Sequence, residues 1–373
     1  MDAVVASEAA TACSRTAAAT APRRCPGRGR PRGPVPARAA DPDGEGAPDG
    51  PGAPSPRTKG PNRGARAFLG LAARPRARPG LLAWALLGDG RRCETWLAWD
   101  LGRWCPVVVK LPRPGGQRGR AVAGLAREAE VAAATAHPGI RRLLESRLDQ
   151  PLPYLVFEYV EGPTLDDALA EDGPFHPVDV LLVGMQLAAA LGHLHGRGLV
   201  HLDVKPGNVV LREGRPVLID LGLARPAGEA PVGGHRRGSP PWMAPEQVRR
   251  RPAAPGMDLF ALGAVLYELA TGTQAFDPAD DGPPERRWPQ LAGPPPAASS
   301  RNPEVPAAVD QAVAALLAPD PPGRPAAASQ VLALLDAAMP ADASEEDRLW
   351  PDWATGRWQA STMARPPLVP RPA

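Results

Sequence analysis

Lysine is nearly missing from this 373-residue chain: Lys59, Lys110 and Lys205 are the only three among 43 basic residues. Asparagine is as scarce, at Asn62, Asn208 and Asn302, and aromatic side chains make up 5%. Beside abundant Ala, Arg, Gly and Pro, this depletion matches the coding bias of a GC-rich genome. Each surviving Lys or Asn is therefore worth testing for a chemical role. Other scarcities exclude whole classes. No uninterrupted apolar run reaches the ~18–20 residues that a membrane span needs. The best stretch, 177–192, is broken by Asp179 and Gln186. No basic segment precedes an apolar run at the N-terminus, so a secretory signal is not expected. The four cysteines, Cys13, Cys25, Cys93 and Cys105, show neither paired metal-ligand spacing nor a disulfide framework. The expectation is a soluble, cytoplasmic protein.

What is abundant is unevenly placed. Residues 1–80 hold 14 Lys+Arg against 6 Asp+Glu, with 13 Pro and 11 Gly. The chain's net +3 less this segment's +8 leaves −5 for the remainder. Such composition without periodicity cannot bury a core, and residues 1–79 are expected to form a disordered tail. Its arginines read as solvated. Weak anion or nucleic-acid binding is the lesser reading, because no aromatic side chain precedes Phe68 to stack on a base. At the other end, 340–373 reads as a Pro-containing tail. It carries Trp350, Trp353 and Trp358, which suit docking on the folded domain or a partner.

Between these tails the pattern is ordered. Strand-like apolar runs occupy 81–87, 94–99, 106–111 and 153–158, with a helical stretch at about 119–135 among them. Helical periodicity then dominates at about 177–195, 256–271, 305–317 and 327–338. The segment 257–271 is apolar on nearly all sides and predicts a central buried helix stopped by Gly272. Strands followed by helices predict an α+β fold in two lobes.

The chemistry-bearing residues fall between these elements. Gly88 and Gly90 sit in a strand–turn–strand, where backbone N–H groups can approach a phosphate. Lys110 ends the apolar run Val107-Val108-Val109 and needs an anionic partner if buried; Glu128 on the following helix can supply one. The strongest signal is His201-Leu202-Asp203-Val204-Lys205-Pro206-Gly207-Asn208, followed after two apolar runs by Asp220-Leu221-Gly222. Asp203 can accept a hydroxyl proton and Lys205 can neutralise a transferring phosphoryl group. Asn208 and Asp220 offer the hard oxygens that suit Mg²⁺.

Over residues 80–339 the motif order resembles the protein kinase family, specifically the bacterial serine/threonine kinases of eukaryotic type. HxDxKPxN followed by DxG is specific to that family. So is Gly238-Ser239-Pro240-Pro241-Trp242-Met243-Ala244-Pro245-Glu246, similar to its GTPxYMAPE segment. The resemblance implies a two-lobe kinase-like fold: a small β-rich lobe at 80–157 with one main helix, a hinge at 158–163 and a larger helical lobe at 164–339. It implies ATP and Mg²⁺ as cofactors and protein Ser/Thr hydroxyls as acceptors. By the same resemblance Lys110 contacts the α/β-phosphates and pairs with Glu128, and Asp203 orients or deprotonates the hydroxyl. Lys205 stabilises the γ-phosphoryl, while Asn208 and Asp220 bind metal. Val108 roofs the adenine, and the Glu158 and Val160 backbones form the hinge contacts. Ser239 bonds Asp203 and Lys205, Asp258 is the buried acid of the central helix, and Arg324 pairs with Glu246. Gly222 closes the DxG.

Four departures stand out. Cys93 replaces the third glycine of the phosphate loop, Thr95 a valine, and Val108 an alanine. Leu202 stands where regulated members have the arginine that grips a phosphorylated activation segment. Residues 221–238 contain no Ser, Thr or Tyr. Both absences predict an activity independent of phosphorylation there. Arg91 and Arg92 are the groups expected to lower the Cys93 pKa. The alternative function is a pseudokinase that binds nucleotide as a scaffold, and a small-molecule phosphotransferase is disfavoured by the Pro245-Glu246 segment and its Arg324.

Overall fold

The computed structural model describes residues 80–114, 117–231, 238–278 and 283–341. The expected tail over 1–79 and the tryptophan-containing segment 342–373 lie outside the described residues. The described chain is α+β in two lobes, as the sequence predicts.

The small lobe is an antiparallel sheet of β1 (Leu81–Asp89), β2 (Cys93–Asp100), β3 (Cys105–Pro112), β4 (Leu143–Arg147) and β5 (Tyr154–Glu158), in the order β1-β2-β3-β5-β4. Helix α1 (Arg118–Ala134) packs against β3 and β4. Side chains alternate along a strand with period two. On β3 this sends Val107, Val109 and Leu111 into a core with Trp96, Ala98 and Val156. Val108 faces the opposite side, toward the larger core with Leu125 and Phe157. Lys110 shares that second face by the same alternation. The register Lys110↔Thr95 and Lys110↔Leu155 fixes it mid-sheet. Helix α1 buries Ala121, Leu125, Ala129 and Ala132, an i, i+4 and i+3 stripe, and the same face carries Glu128. The helix stops where the Thr135 hydroxyl donates to Val131 O at 2.9 Å, three residues before Pro138.

The large lobe contains α2 (Leu165–Asp172), α3 (Pro177–His195), α4 (Pro255–Thr271), α5 (Ala307–Leu316) and α6 (Ala328–Ala337). Two small ribbons lie at its upper face: β6 (Leu199–Val200) with β9 (Arg225–Pro226), and β7 (Val209–Arg212) with β8 (Arg215–Leu218). Every residue of α4 from Met257 to Thr271 is buried, as the all-round apolar pattern predicts. Pro255 opens α4, and Gly272, in the left-handed region at φ +72°, closes it by donating to Glu268 O. Helix α3 has the 19 residues that the helical pattern at 177–195 predicts and, unlike the shorter broken run 177–192, is long and apolar enough by composition to cross a membrane. In the fold it packs between α4 and α6, with residues such as Leu187, Leu191 and Leu194 fully buried. Each such leucine contributes about 1.5–3 kcal/mol.

The lobes are stitched by backbone. Arg141 N donates to Leu218 O at 2.8 Å and Leu218 N to Gly139 O at 2.9 Å, joining the approach to β4 with the end of β8. This places β8, and the Asp220 that follows it, directly beneath α1 and β3.

Candidate active site

Three charged side chains from three elements converge beneath the sheet. Lys110 Nζ lies 2.8 Å from Glu128 Oε2 and 3.0 Å from Asp220 Oδ1. A Cβ built on Gly222 would meet Asp220 Oδ1 at 3.0 Å, Lys110 Nζ at 3.2 Å and Glu128 Oε2 at 3.3 Å, so a side chain there would displace all three. Burial pulls the lysine toward neutrality, but Asp220 and Glu128 outweigh it and hold the ammonium charged. Burial pushes Asp220 up, yet Lys110, the Gly222 N–H and Arg141 bring it well below the carboxylate range. Glu128, 2% exposed, is pushed up by burial despite Lys110.

A second group forms around Asp203. Lys205 Nζ donates to Ser239 Oγ at 2.9 Å, and Ser239 Oγ donates to Asp203 Oδ1 at 2.9 Å. The hydroxyl thus links the cation to the carboxylate, which lie 3.8 Å apart. Asn208 Nδ2 donates to Asp203 O at 2.9 Å and to Asp203 Oδ2 at 3.0 Å. Its amide nitrogen is committed, which leaves the amide oxygen as the atom a hard cation would take. Asp220 uses only Oδ1 toward Lys110 and the Gly222 N–H, so Oδ2 remains. Two protein oxygens with room for phosphate ligands fit Mg²⁺, which rarely uses an all-protein cage. Among the described residues no group of three or more His, Cys, Asp or Glu forms such a cage.

The loop carrying Asp203 is held from below by Asp258, which is 0% exposed. Its Oδ2 accepts from His201 N at 2.7 Å and its Oδ1 from Leu202 N at 2.8 Å. These bonds fix Leu202 at φ +67°, a conformation that costs a branched side chain about 1 kcal/mol or more. Gln247 Nε2 donates to Leu202 O at 2.8 Å and His195 Nε2 lies 2.9 Å from Asp258 Oδ2. Neither contact is visible from sequence spacing, since His195 and Asp258 are 63 residues apart. His201 is buried, with Nδ1 accepting from Asp203 N at 3.3 Å, so the imidazole packs beneath the loop and braces it.

The remaining expected residues are placed as follows. Arg324 and Glu246 form a two-pronged ion pair, at 2.7 and 3.0 Å, away from the cleft. Glu158 N donates to Arg142 O, so only its carbonyl is left for a nucleotide; its carboxylate binds Arg212 at 3.0 Å across the hinge. Val160 packs on Val210 and Val217, a floor the sequence reading did not include. Val108 is buried on the cleft side of β3. Gly90 N donates to Cys93 O at 3.0 Å, and a Cβ at Gly90 would sit 2.9 Å from that oxygen, so this turn requires glycine. Gly88 has only ordinary contacts with Thr95.

Cys93 corrects one expectation. It is an ordinary strand residue paired with Pro112, half-buried. Burial pushes its thiol up, and Lys110 offsets this more than Arg92 does; Arg91 does not figure among the causes. The thiol therefore stays protonated. On the phosphate-loop reading that the sequence resemblance implies, Cys93→Gly is expected to lower KM for ATP by about 2–5-fold with little change in kcat. Steady-state titration checks this.

Glu268 lies below Trp242, whose Nε1 donates to Glu268 Oε2 at 2.9 Å. Burial pushes its carboxyl from 4.5 up to about 7, with Asp166 adding to the effect. The folded state therefore holds this proton more tightly than the unfolded one. The contribution to stability is full below about pH 4.5 and is lost as pH rises to about 7. Glu268→Gln should raise the melting temperature by about 3–5 °C at pH 8, shrinking toward zero at pH 5.

A family model described as protein kinase domain matches residues 84–333. Serine/threonine-protein kinase PrkC of Bacillus subtilis is 30% identical over 267 residues, covering 70% of this chain and 41% of PrkC. Serine/threonine-protein kinase PknB of Mycolicibacterium smegmatis is 31% identical over 309 residues, covering 77% and 48%. Serine/threonine-protein kinase PkaA of Streptomyces coelicolor is 37% identical over 156 residues, covering 40% and 29%. The chain spans less than half the length of these relatives.

Proposed function

Because the chain belongs to the protein kinase family, we propose that it is an ATP- and Mg²⁺-dependent serine/threonine protein kinase with its catalytic domain over residues 80–339. The observation that carries this reading is the Lys205–Ser239–Asp203 relay set beside Asn208 and Asp220. Asp203 orients the acceptor hydroxyl and takes up its proton as the new phosphoester bond to the γ-phosphorus forms and the bond from that phosphorus to the bridging oxygen breaks, with ADP leaving. Lys205 stands next to that point and stabilises the charge on the transferring group. Lys110, held by Glu128, positions the nucleotide's α/β-phosphates. Bound Mg²⁺, held by Asn208 and Asp220, would supply charge neutralisation on the phosphates. The Glu158 carbonyl and Val160 N–H receive the adenine edge, with Val108 and Val210 on its two faces. We place this activity in the cytoplasm, where ATP is at hand; Cys93 and Cys105 are both free thiols.

The activity is further proposed to need no phosphate on the activation segment. That segment is already pinned: β9 pairs with β6, Ala227 N donates to Gly198 O at 2.7 Å, and Gly228 N to Ala253 O at 2.8 Å. Ala253 N returns a bond to Glu229 O at 3.0 Å, and Arg225 Nε lies 3.6 Å from the Glu229 carboxylate. A carboxylate of the segment itself thus meets the buried arginine. Phosphatase-treated enzyme should keep kcat within about twofold of untreated enzyme; a collapse of activity would remove this part of the proposal.

The experiment for the whole reading is transfer of labelled γ-phosphoryl from ATP to a generic protein acceptor. Transfer with Mg²⁺ and its loss in EDTA are expected. Nucleotide binding without transfer would favour the scaffold reading, toward which Cys93, Thr95 and Val108 lean.

A further inference from the structure

Gln290 takes no part in the chemistry above, yet its amide closes on the segment next to Asp203. It sits in the short helical turn Pro289–Leu291, of which it is the one buried residue. It is 1% exposed, while Arg286 and Arg287 just before it are exposed. Nε2 donates to Pro240 O at 2.9 Å and to Met243 O at 3.1 Å. Both partners are carbonyls, so the atom that faces them is the amide nitrogen. Oε1 is buried and accepts no hydrogen bond among the described residues. Burying an amide with one end unsatisfied is costly, and a leucine would fill similar space without that cost. The two carbonyls explain why an amide stands here: one side chain spans both ends of the turn between them.

That turn, Pro240–Trp242, needs a donor from outside. Pro240 and Pro241 have no backbone N–H, so the chain there cannot enter a ladder. Its own closure is long, with Met243 N 3.4 Å from Pro240 O. Pro240 is exposed and Pro241 and Trp242 are half-buried, so the turn presents an apolar ledge to solvent. The ledge begins at Ser239, whose hydroxyl donates to Asp203 Oδ1 at 2.9 Å. A polypeptide that delivers a hydroxyl to Asp203 therefore lies along it. Ser239 itself is held separately by Lys205 Nζ, so the relay does not depend on Gln290.

We infer that Gln290 is a positioning residue for the protein acceptor, the brace that holds the Pro240–Met243 ledge in the shape a polypeptide needs on its way to Asp203. The brace rests on geometry alone. The acceptor's path along the ledge rests on the kinase reading above.

Gln290→Met and Gln290→Glu test it. Met keeps the length without the donor, and Glu keeps the shape while turning an acceptor toward the two carbonyls. Both should raise KM for a protein acceptor about tenfold, with KM for ATP within ~2-fold and kcat within ~3-fold of wild type. The two KM values rising together, or neither rising, would overturn the inference. Gln290→Met should also melt within ~4 °C of wild type, because it removes the unsatisfied Oε1 along with the donor. A larger drop would assign Gln290 to the fold as a whole and overturn it as well. Hydrogen exchange needs no phosphoryl transfer. Amides of 242–248 in Gln290→Met should exchange about tenfold faster than in wild type, with those of α4 unchanged. Equal rates in the two proteins would overturn the brace. If wild type transfers no phosphoryl group, the kinase reading fails while the exchange rates still decide the brace.

Discussion

Asp203→Asn should lower kcat by about 10²–10⁴-fold while leaving the melting temperature within ~2 °C of wild type. The loss follows from what Asp203 is asked to do. It must accept a proton from the acceptor hydroxyl, and an amide cannot. The small stability effect follows from its partners. Asn208 Nδ2 can donate to an amide oxygen as it does to Asp203 Oδ2, at 3.0 Å. The amide nitrogen would then face Ser239 Oγ, which already receives a bond from Lys205 Nζ. That hydroxyl has a second acceptor site, so the relay reverses its last bond without breaking. The loop itself is fixed by Asp258 through His201 N and Leu202 N, which the substitution does not touch. Kinetics and a thermal melt on the same preparation separate the two effects.

Arg324→Ala is expected to act in the opposite way, through the fold. The guanidinium is fully buried and makes five contacts. Two go to Glu246, one each to Ala318 O, Gly256 O and Pro319 O, and its plane lies over Phe260 at 4.8 Å. Removing it leaves a nearly buried carboxylate and the Ala318 and Pro319 carbonyls without this donor, while Gly256 O keeps its place in the α4 ladder. The expected cost is about 3–5 kcal/mol, or on the order of 10 °C in melting temperature. Removing Glu246 as well, as Glu246→Leu in the Arg324→Ala background, should recover only part of this, because the Ala318 and Pro319 carbonyls remain. Full recovery would mean that the ion pair alone carried the effect.

Much of this architecture could be read from residues in order, because the informative signals are local. Helix α4 is apolar on every side and ends in Gly272; α3 begins with Pro177. The catalytic loop is eight consecutive residues, and Lys110 follows the apolar run Val107–Val109 within β3, whose period-two alternation turns it toward Glu128. Two elements were not legible. Strand β4, Leu143–Arg147, lies at a sheet edge and carries a bulge between Leu143 and Glu145, so its alternation is broken. Helix α2, Leu165–Asp172, is too short for a clear period. Its Thr164–Asp167 capping box was the available signal.

Within the site, what sequence could not supply was long-range pairing. Arg141 and Arg142 are adjacent and chemically identical, yet one is buried against Phe157 and the other is exposed. Only the packing of the β4 approach onto β8 decides which. The Cys93 thiol was likewise misjudged from its neighbours in the chain. Across the fold it lies beside Lys110, and its burial outweighs the charges around it. The scarcity of lysine and asparagine was the better guide, since Lys110, Lys205 and Asn208 all stand in the cleft.

The central claim is phosphoryl transfer to protein hydroxyls by the Asp203 cluster. Its most direct test is phosphoamino-acid analysis of a protein acceptor incubated with γ-labelled ATP, Mg²⁺ and either wild type or Asp203→Asn. The account predicts label on phosphoserine and phosphothreonine with wild type, none on phosphotyrosine, and at least a ~100-fold drop with Asp203→Asn. Equal label from the two proteins, or none from wild type, would contradict it.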